Sequence, residues 1–214
     1  MHIRLLTVAA VAAVLAVGCT TQEQKAKPAA AKAAKPKLMM GASAAMLAST
    51  CVGCHGEHGQ SNGPGTPTIA GLEADYFTEV MQAYRTGDRS STIMGRIAKG
   101  YTDKEIEQMA GVFSKQTYRG VVQDTVSYKA IMGRTLHDKY CEKCHEDGGT
   151  SVEDTPMAGQ WMPYMQTTIV DYLNGLNNPE KKMTKAINKM FAEHPGMSKE
   201  KLAEDLAHYY ASHK

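Results

Sequence analysis

The sequence predicts an all-α protein made of two tandem copies of one helical unit. Three observations carry this. Apolar residues recur at helical spacing behind recognisable caps. No segment alternates apolar and polar residues as a half-buried strand would. The chain also repeats itself with a period of 90 residues, the distance from Cys51 to Cys141. In the first copy CVGCH (51–55) is followed by TPTIAG (66–71), an amphipathic stretch ending at Gly87, Met94 and TDKEIEQMAGVFSK (102–115). In the second, CEKCH (141–145) is followed by TPMAG (155–159), a stretch ending at Asn174-Gly175, Met183 and SKEKLAEDLAHYYAS (198–212).

Each element has its local reason. Residues 73–86 place Tyr76, Phe77, Val80, Met81 and Tyr84 on one face, and Gly87 supplies a C-terminal stop. Thr102 and Glu105 form a capping box ahead of Ile106, Met109, Ala110 and Phe113. Ser198 caps a final helix whose buried stripe is Leu202, Leu206, Tyr209 and Tyr210. Short helices at 42–50 and 133–140 lead into the cysteine motifs. Residues 117–130 carry no strong signal. The organisation expected is a signal peptide over 1–18, a tether over 19–40, a first domain over 41–117, a linker over 118–130 and a second domain over 131–214.

The N-terminal segment sets the compartment. MHIRLLTVAAVAAVLAVG (1–18) is a positive start followed by a short apolar run, the form of an export signal. It ends in AVGC, which resembles a bacterial lipoprotein signal. That reading makes Cys19 the lipidated first residue of the mature chain and the protein periplasmic and membrane-anchored. The alternative is an ordinary cleaved signal with Cys19 a spare thiol. The Ala/Lys/Pro stretch over 20–40 has no apolar periodicity and reads as a solvated tether, its lysines either resting on anionic lipid or only keeping the linker soluble.

Charge and composition exclude some functions. The chain has 24 basic and 22 acidic residues, but six of the basic ones precede residue 41 and only Glu23 opposes them. Residues 41–214 therefore carry a net charge of −3. No basic face for nucleic acid is indicated. Aromatic residues make up 7% of the chain, thin furnishing for two separate cores.

The five cysteines divide as Cys19, Cys51/Cys54 and Cys141/Cys144, and an odd count excludes a complete intrachain disulfide set. A histidine follows each close pair. C-x-x-C-H is the signal for c-type haem attachment: two thiols bond the vinyl groups of the porphyrin, and the adjacent histidine is left beneath the ring to ligate iron. A redox dithiol would need a βαβ pattern. A zinc ribbon would need its pairs ~15–20 residues apart, against the 86 between Cys54 and Cys141. A disulfide remains chemically open in an exported chain. The doubled motif favours two haems, each serving as a covalent staple and as much of a small core.

A sixth iron ligand must come from further along. Methionine raises the reduction potential and suits electron transfer. Met94 stands 39 residues after His55, and Met183 stands 38 after His145. Both precede the last helix of their copy. Met162, Met165, Met190 and Met197 are the rivals in the second copy, expected as core or surface, and His194 offers a bis-histidine alternative. His58, His137, His208 and His213 are expected to be solvated. Pro67 and Pro156, 12 and 11 residues after the proximal histidines, mark loops whose carbonyls can accept the imidazole N–H, or simply rigid turns.

Two tandem class-I cytochrome c units resemble the dihaem cytochromes. One such group is cytochrome c4, an electron carrier. Another is the dihaem cytochrome subunit of flavocytochrome c sulfide dehydrogenase. STIMGRIAKGYTDKEIEQMAG (91–111) and LHDKYCEKCHEDGG (136–149) resemble the latter in particular, and TPMAGQW and KKM (181–183) agree. The resemblance spans about 43–212. It implies an electron-transfer subunit with no catalytic residues of its own, paired with an FAD-bearing flavoprotein that oxidises sulfide, and passing electrons to a soluble cytochrome c. By motif match, Cys51, Cys54, His55 and Met94 hold the first haem, and Cys141, Cys144, His145 and Met183 the second. Cys19 and its tether depart from the family pattern, which has an ordinary cleaved signal, and point to a membrane-tied complex. A c4-like carrier to a terminal oxidase is the alternative reading. A dihaem peroxidase or a haem sensor would need an open iron position, which the two methionines argue against.

Overall fold

The computed structural model describes residues 41–151, 156–177 and 181–213. The signal, the tether and Cys19 lie outside them. Among the described residues the structure is helical, and the only β-pairing is an isolated bridge between Arg89 and Asn177.

The first half holds α1 (Ala44–Ser49), α2 (Val52–His55), α3 (Ala74–Thr86), α4 (Met94–Ile97) and α5 (Asp103–Phe113). α3 starts on Glu73, whose carboxylate accepts the Tyr76 N–H, and stops at left-handed Gly87. α5 starts with the expected capping box, Thr102 and Glu105 each accepting the other's backbone N–H. α1 and α3 pack on α5, and Leu47, Phe77, Met81, Ile106, Met109 and Phe113 form the core.

The second half holds α6 (Ser127–Tyr140), α7 (Glu146–Gly149), α8 (Met162–Leu173), α9 (Lys181–Glu193) and α10 (Lys199–Ser212). α10 is capped by Ser198 and buries Leu202, Leu206, Tyr209 and Tyr210 against α6 and α8, as expected. α6 starts at Ser127, six residues before the expected 133. It crosses α10 at Gly133, where a Cβ would lie 2.0 Å from the Asp205 carbonyl oxygen. Glycine there removes the side chain that would hold the two backbones apart.

The repeat is visible in backbone geometry. Gly59 and Gly149 have φ of 81° and 83°. The Gly59 carbonyl accepts the N–H groups of Ile69 and Ala70, and the Gly149 carbonyl those of Met157 and Ala158. Gly71 then donates to the Phe113 carbonyl, and Gly159 to that of Tyr210. A Cβ on Gly59 would strike Phe113 at 2.9 Å, and one on Gly149 would strike Tyr210 at 2.9 Å. The same loop is thus clipped to the same point of the last helix in both halves.

The stretch expected to be a plain linker is held closely. Gln60 clamps Arg119 by both backbone groups, Val121 donates to the Gly159 carbonyl at 2.7 Å, and the Tyr118 hydroxyl donates to that of Ala158. Gln123 donates to the Gln160 carbonyl and accepts the Met162 N–H. These partners are distant in sequence, so no local pattern announces them.

Candidate haem sites

The first cysteine motif folds as one helical turn, α2, and the second as a tight turn ahead of α7. His55 N–H donates to the Cys51 carbonyl at 2.8 Å, and His145 N–H to that of Cys141 at 3.0 Å. Two sulfurs and an imidazole are thereby presented from five consecutive residues. Cys51 and Cys141 are half-buried, while Cys54 and Cys144 are exposed, so each motif lies at the rim of its cavity. Burial raises the pKa of the Cys51 thiol and pushes that of Cys141 up to about 11. The four cysteines form no disulfide with one another.

His55 is buried, and its Nδ1 lies 2.8 Å from the Pro67 carbonyl oxygen. A carbonyl only accepts, so Nδ1 carries the proton and Nε2 keeps its lone pair for a ligand. Burial lowers the His55 pKa, against the smaller opposing effect of this hydrogen bond. An N–H donated to a carbonyl fixes the ring and raises its basicity as a metal ligand.

One cavity of about 230 Å³ is lined by Cys51, His55 and Met94 together with Leu72, Phe77 and Met81. A second, of about 510 Å³, is walled by Cys141, Cys144, His145 and Met183. The two adjoin: His145 and Met183 line both. Met94 is the first residue of α4, and Met183 lies in the first turn of α9. Among the rivals, Met165 reaches only the first cavity and Met190 only the second, while Met162 and Met197 pack around the second core. His194 lines neither cavity, and its Nε2 lies 3.3 Å from the Tyr140 hydroxyl.

Two of the histidines expected in solvent are inside. His137 is fully buried, with Nδ1 2.9 Å from the Tyr210 hydroxyl and Nε2 2.5 Å from the Glu142 carboxylate. It locks α6 to α10 and to the second cysteine motif. Its spacing of four from Gly133 places it on the buried face, which was the available signal. His208 is buried on α10, and its Nδ1 accepts the Val126 N–H at 3.2 Å, fastening the start of α6. His58 is exposed, and its positive φ of 57° places it in a turn.

Gln160 and Arg89 also take part, with no motif to mark them in the sequence. Gln160 is buried and bridges the halves through Thr68. No local pattern singles it out.

Two thiols, an imidazole and a thioether sulfur, among aliphatic and aromatic side chains, are the donor set that covalently bound haem requires. The fold and these sites define a c-type haem protein with two attachment motifs. A profile of the cytochrome c family matches residues 39–115. The cytochrome subunit of sulfide dehydrogenase from Chlorobaculum tepidum is 40% identical over 86 residues, covering 40% of this chain and 76% of that one. Cytochrome c-554(548) of Halomonas halodenitrificans is 37% identical over 70 residues, covering 31% of this chain and 84% of that one. The crystal structure of cytochrome c4 from Pseudomonas stutzeri superposes with a TM-score of 0.66 at 21% identity, covering 81% of this chain and all of that one. The chain belongs to the cytochrome c family. It is an electron-transfer cytochrome with covalently bound haem c as its cofactor.

Proposed function

We propose that this chain is the dihaem electron-transfer subunit of a periplasmic sulfide dehydrogenase, receiving electrons from an FAD-bearing flavoprotein and passing them to a cytochrome c acceptor. The observation that carries the reading is the 40% identity to a sulfide dehydrogenase cytochrome subunit over most of that protein's length. Cys51, Cys54, His55 and Met94 hold the first haem. Cys141, Cys144, His145 and Met183 hold the second. Cys19 is the proposed lipid anchor that would keep the complex at the membrane.

Haem iron exchanges single electrons, whereas a reduced flavin offers two. Two centres on one chain match that stoichiometry, each taking one electron before a one-electron acceptor arrives. The residues of this chain set the terms of the exchange. The Pro67 carbonyl strengthens the His55 donor, methionine sulfur as a ligand would favour the reduced iron, and the apolar lining would exclude water. Among the described residues no helix is long and apolar enough to cross a membrane.

The test is isolation of the tagged full-length chain from its native cell. Co-purification of an FAD protein, with haem reduction by sulfide only while that protein is present, supports the reading. A flavin-free preparation that a terminal oxidase rapidly oxidises supports a c4-like carrier instead.

A further inference from the structure

Arg89 is the only lysine or arginine among the described residues lining the first cavity, and it lines the second as well. It sits at the seam between the halves. Its backbone pairs with Asn177, whose side chain also accepts the Ser90 N–H at 3.0 Å. Its Nε donates to the Tyr84 hydroxyl of the first half at 3.2 Å, and its Nη1 to the Tyr172 hydroxyl of the second half at 3.2 Å. The guanidinium also lies over both rings, 5.4 and 5.8 Å from their centroids. The head is therefore held in place by neutral groups from both sides.

Among the described residues no carboxylate lies within ion-pair distance of it. Asp88, next in sequence, is exposed and accepts from the Thr86 hydroxyl. A guanidinium drawn out of water with only phenols around it lacks a counter-charge. Two of its five N–H donors serve the tyrosines, and a guanidinium fork matches carboxylates. Haem brings two carboxylates on the edge away from its vinyl groups. The cysteines at the cavity rims take the vinyl edge.

We propose that Arg89 is the shared propionate-binding residue of the two haem sites, pairing with carboxylates of both haems and linking the two redox centres electrostatically. The inference rests on haem at both motifs and is independent of which protein donates the electrons. A fixed cation near both irons favours their reduced forms and holds the propionates ionised. Loss of the cation lowers both potentials and lets the propionates titrate.

The test is a potentiometric titration of holoprotein, followed optically, for wild type, Arg89→Gln and Arg89→Lys. Haem content is counted first; fewer than two haems per chain in the wild type would defeat the dihaem reading itself, separately from this one. Arg89→Gln is expected to lower both midpoints and to make them pH-dependent in the carboxylate range. Arg89→Lys, which keeps the charge but not the fork, is expected to move both in the same direction by less. Movement of one midpoint alone, or of neither, overturns the proposal. If Arg89→Gln fails to take up haem, Arg89→Lys decides by the same criterion.

Discussion

Gln160 holds both backbone polar groups of Thr68, its Oε1 accepting the N–H at 3.0 Å and its Nε2 donating to the carbonyl at 2.7 Å. Thr68 directly follows Pro67, whose carbonyl orients His55. A residue of the second half thus braces the loop that orients His55. Both residues are buried, at 4% and 1% exposure, so an apolar replacement leaves two polar groups without water. Gln160→Leu is expected to cost about 3 kcal/mol of stability, measured by thermal or denaturant unfolding. The first haem should change its spectrum more than the second.

The proposed ligands separate by iron. Met94→Ala should remove methionine-type absorbance from one haem and lower its potential, leaving the other unchanged. Met183→Ala should do the same to the other. Spectra of the oxidised single and double variants check this, and an unchanged spectrum in either single variant rejects that assignment.

The crossing of α6 and α10 has no room for a side chain at Gly133. Alanine is the better helix former, by about 1 kcal/mol, so on an isolated helix Gly133→Ala would stabilise. Here the new Cβ meets backbone and the helices must separate. The expected outcome is a loss of about 3 kcal/mol, read by unfolding, with less haem retained in the second half.

The capping box of α5 gives a pH dependence with a definite sign. Hydrogen bonds from the Thr102 backbone and side chain lower the Glu105 pKa. A depressed carboxyl pKa stabilises the fold above the unfolded value, and that contribution disappears as pH falls through the folded one. Thr102→Ala should cost about 1 kcal/mol at neutral pH. Acid melting curves of wild type and Glu105→Gln should converge as Glu105 protonates.

Several elements were legible because their causes are local. α3, α5 and α10 each carry a cap and an apolar stripe within their own residues. The early start of α6 is not legible because its pattern is inverted: Tyr128, Ile131 and Met132 are exposed, while Gly133 and His137 are inside. α9 does carry a readable pattern, with Met183, Ala186, Ile187 and Met190 at helical spacing.

The sequence by itself determined the chemistry. The doubled C-x-x-C-H and the repeat are written in the chain itself, and attachment to a porphyrin needs only residues adjacent in the chain. Tertiary structure alone decided how the two halves meet. Gln60, Gln123 and Gln160 bind backbone far from themselves in sequence, Arg89 joins Tyr84 to Tyr172, and His137 is drawn into the interior. Each of these polar side chains reads as surface in one dimension. Each is inside, or bound across the seam, because a backbone or phenol group from another element satisfies it there.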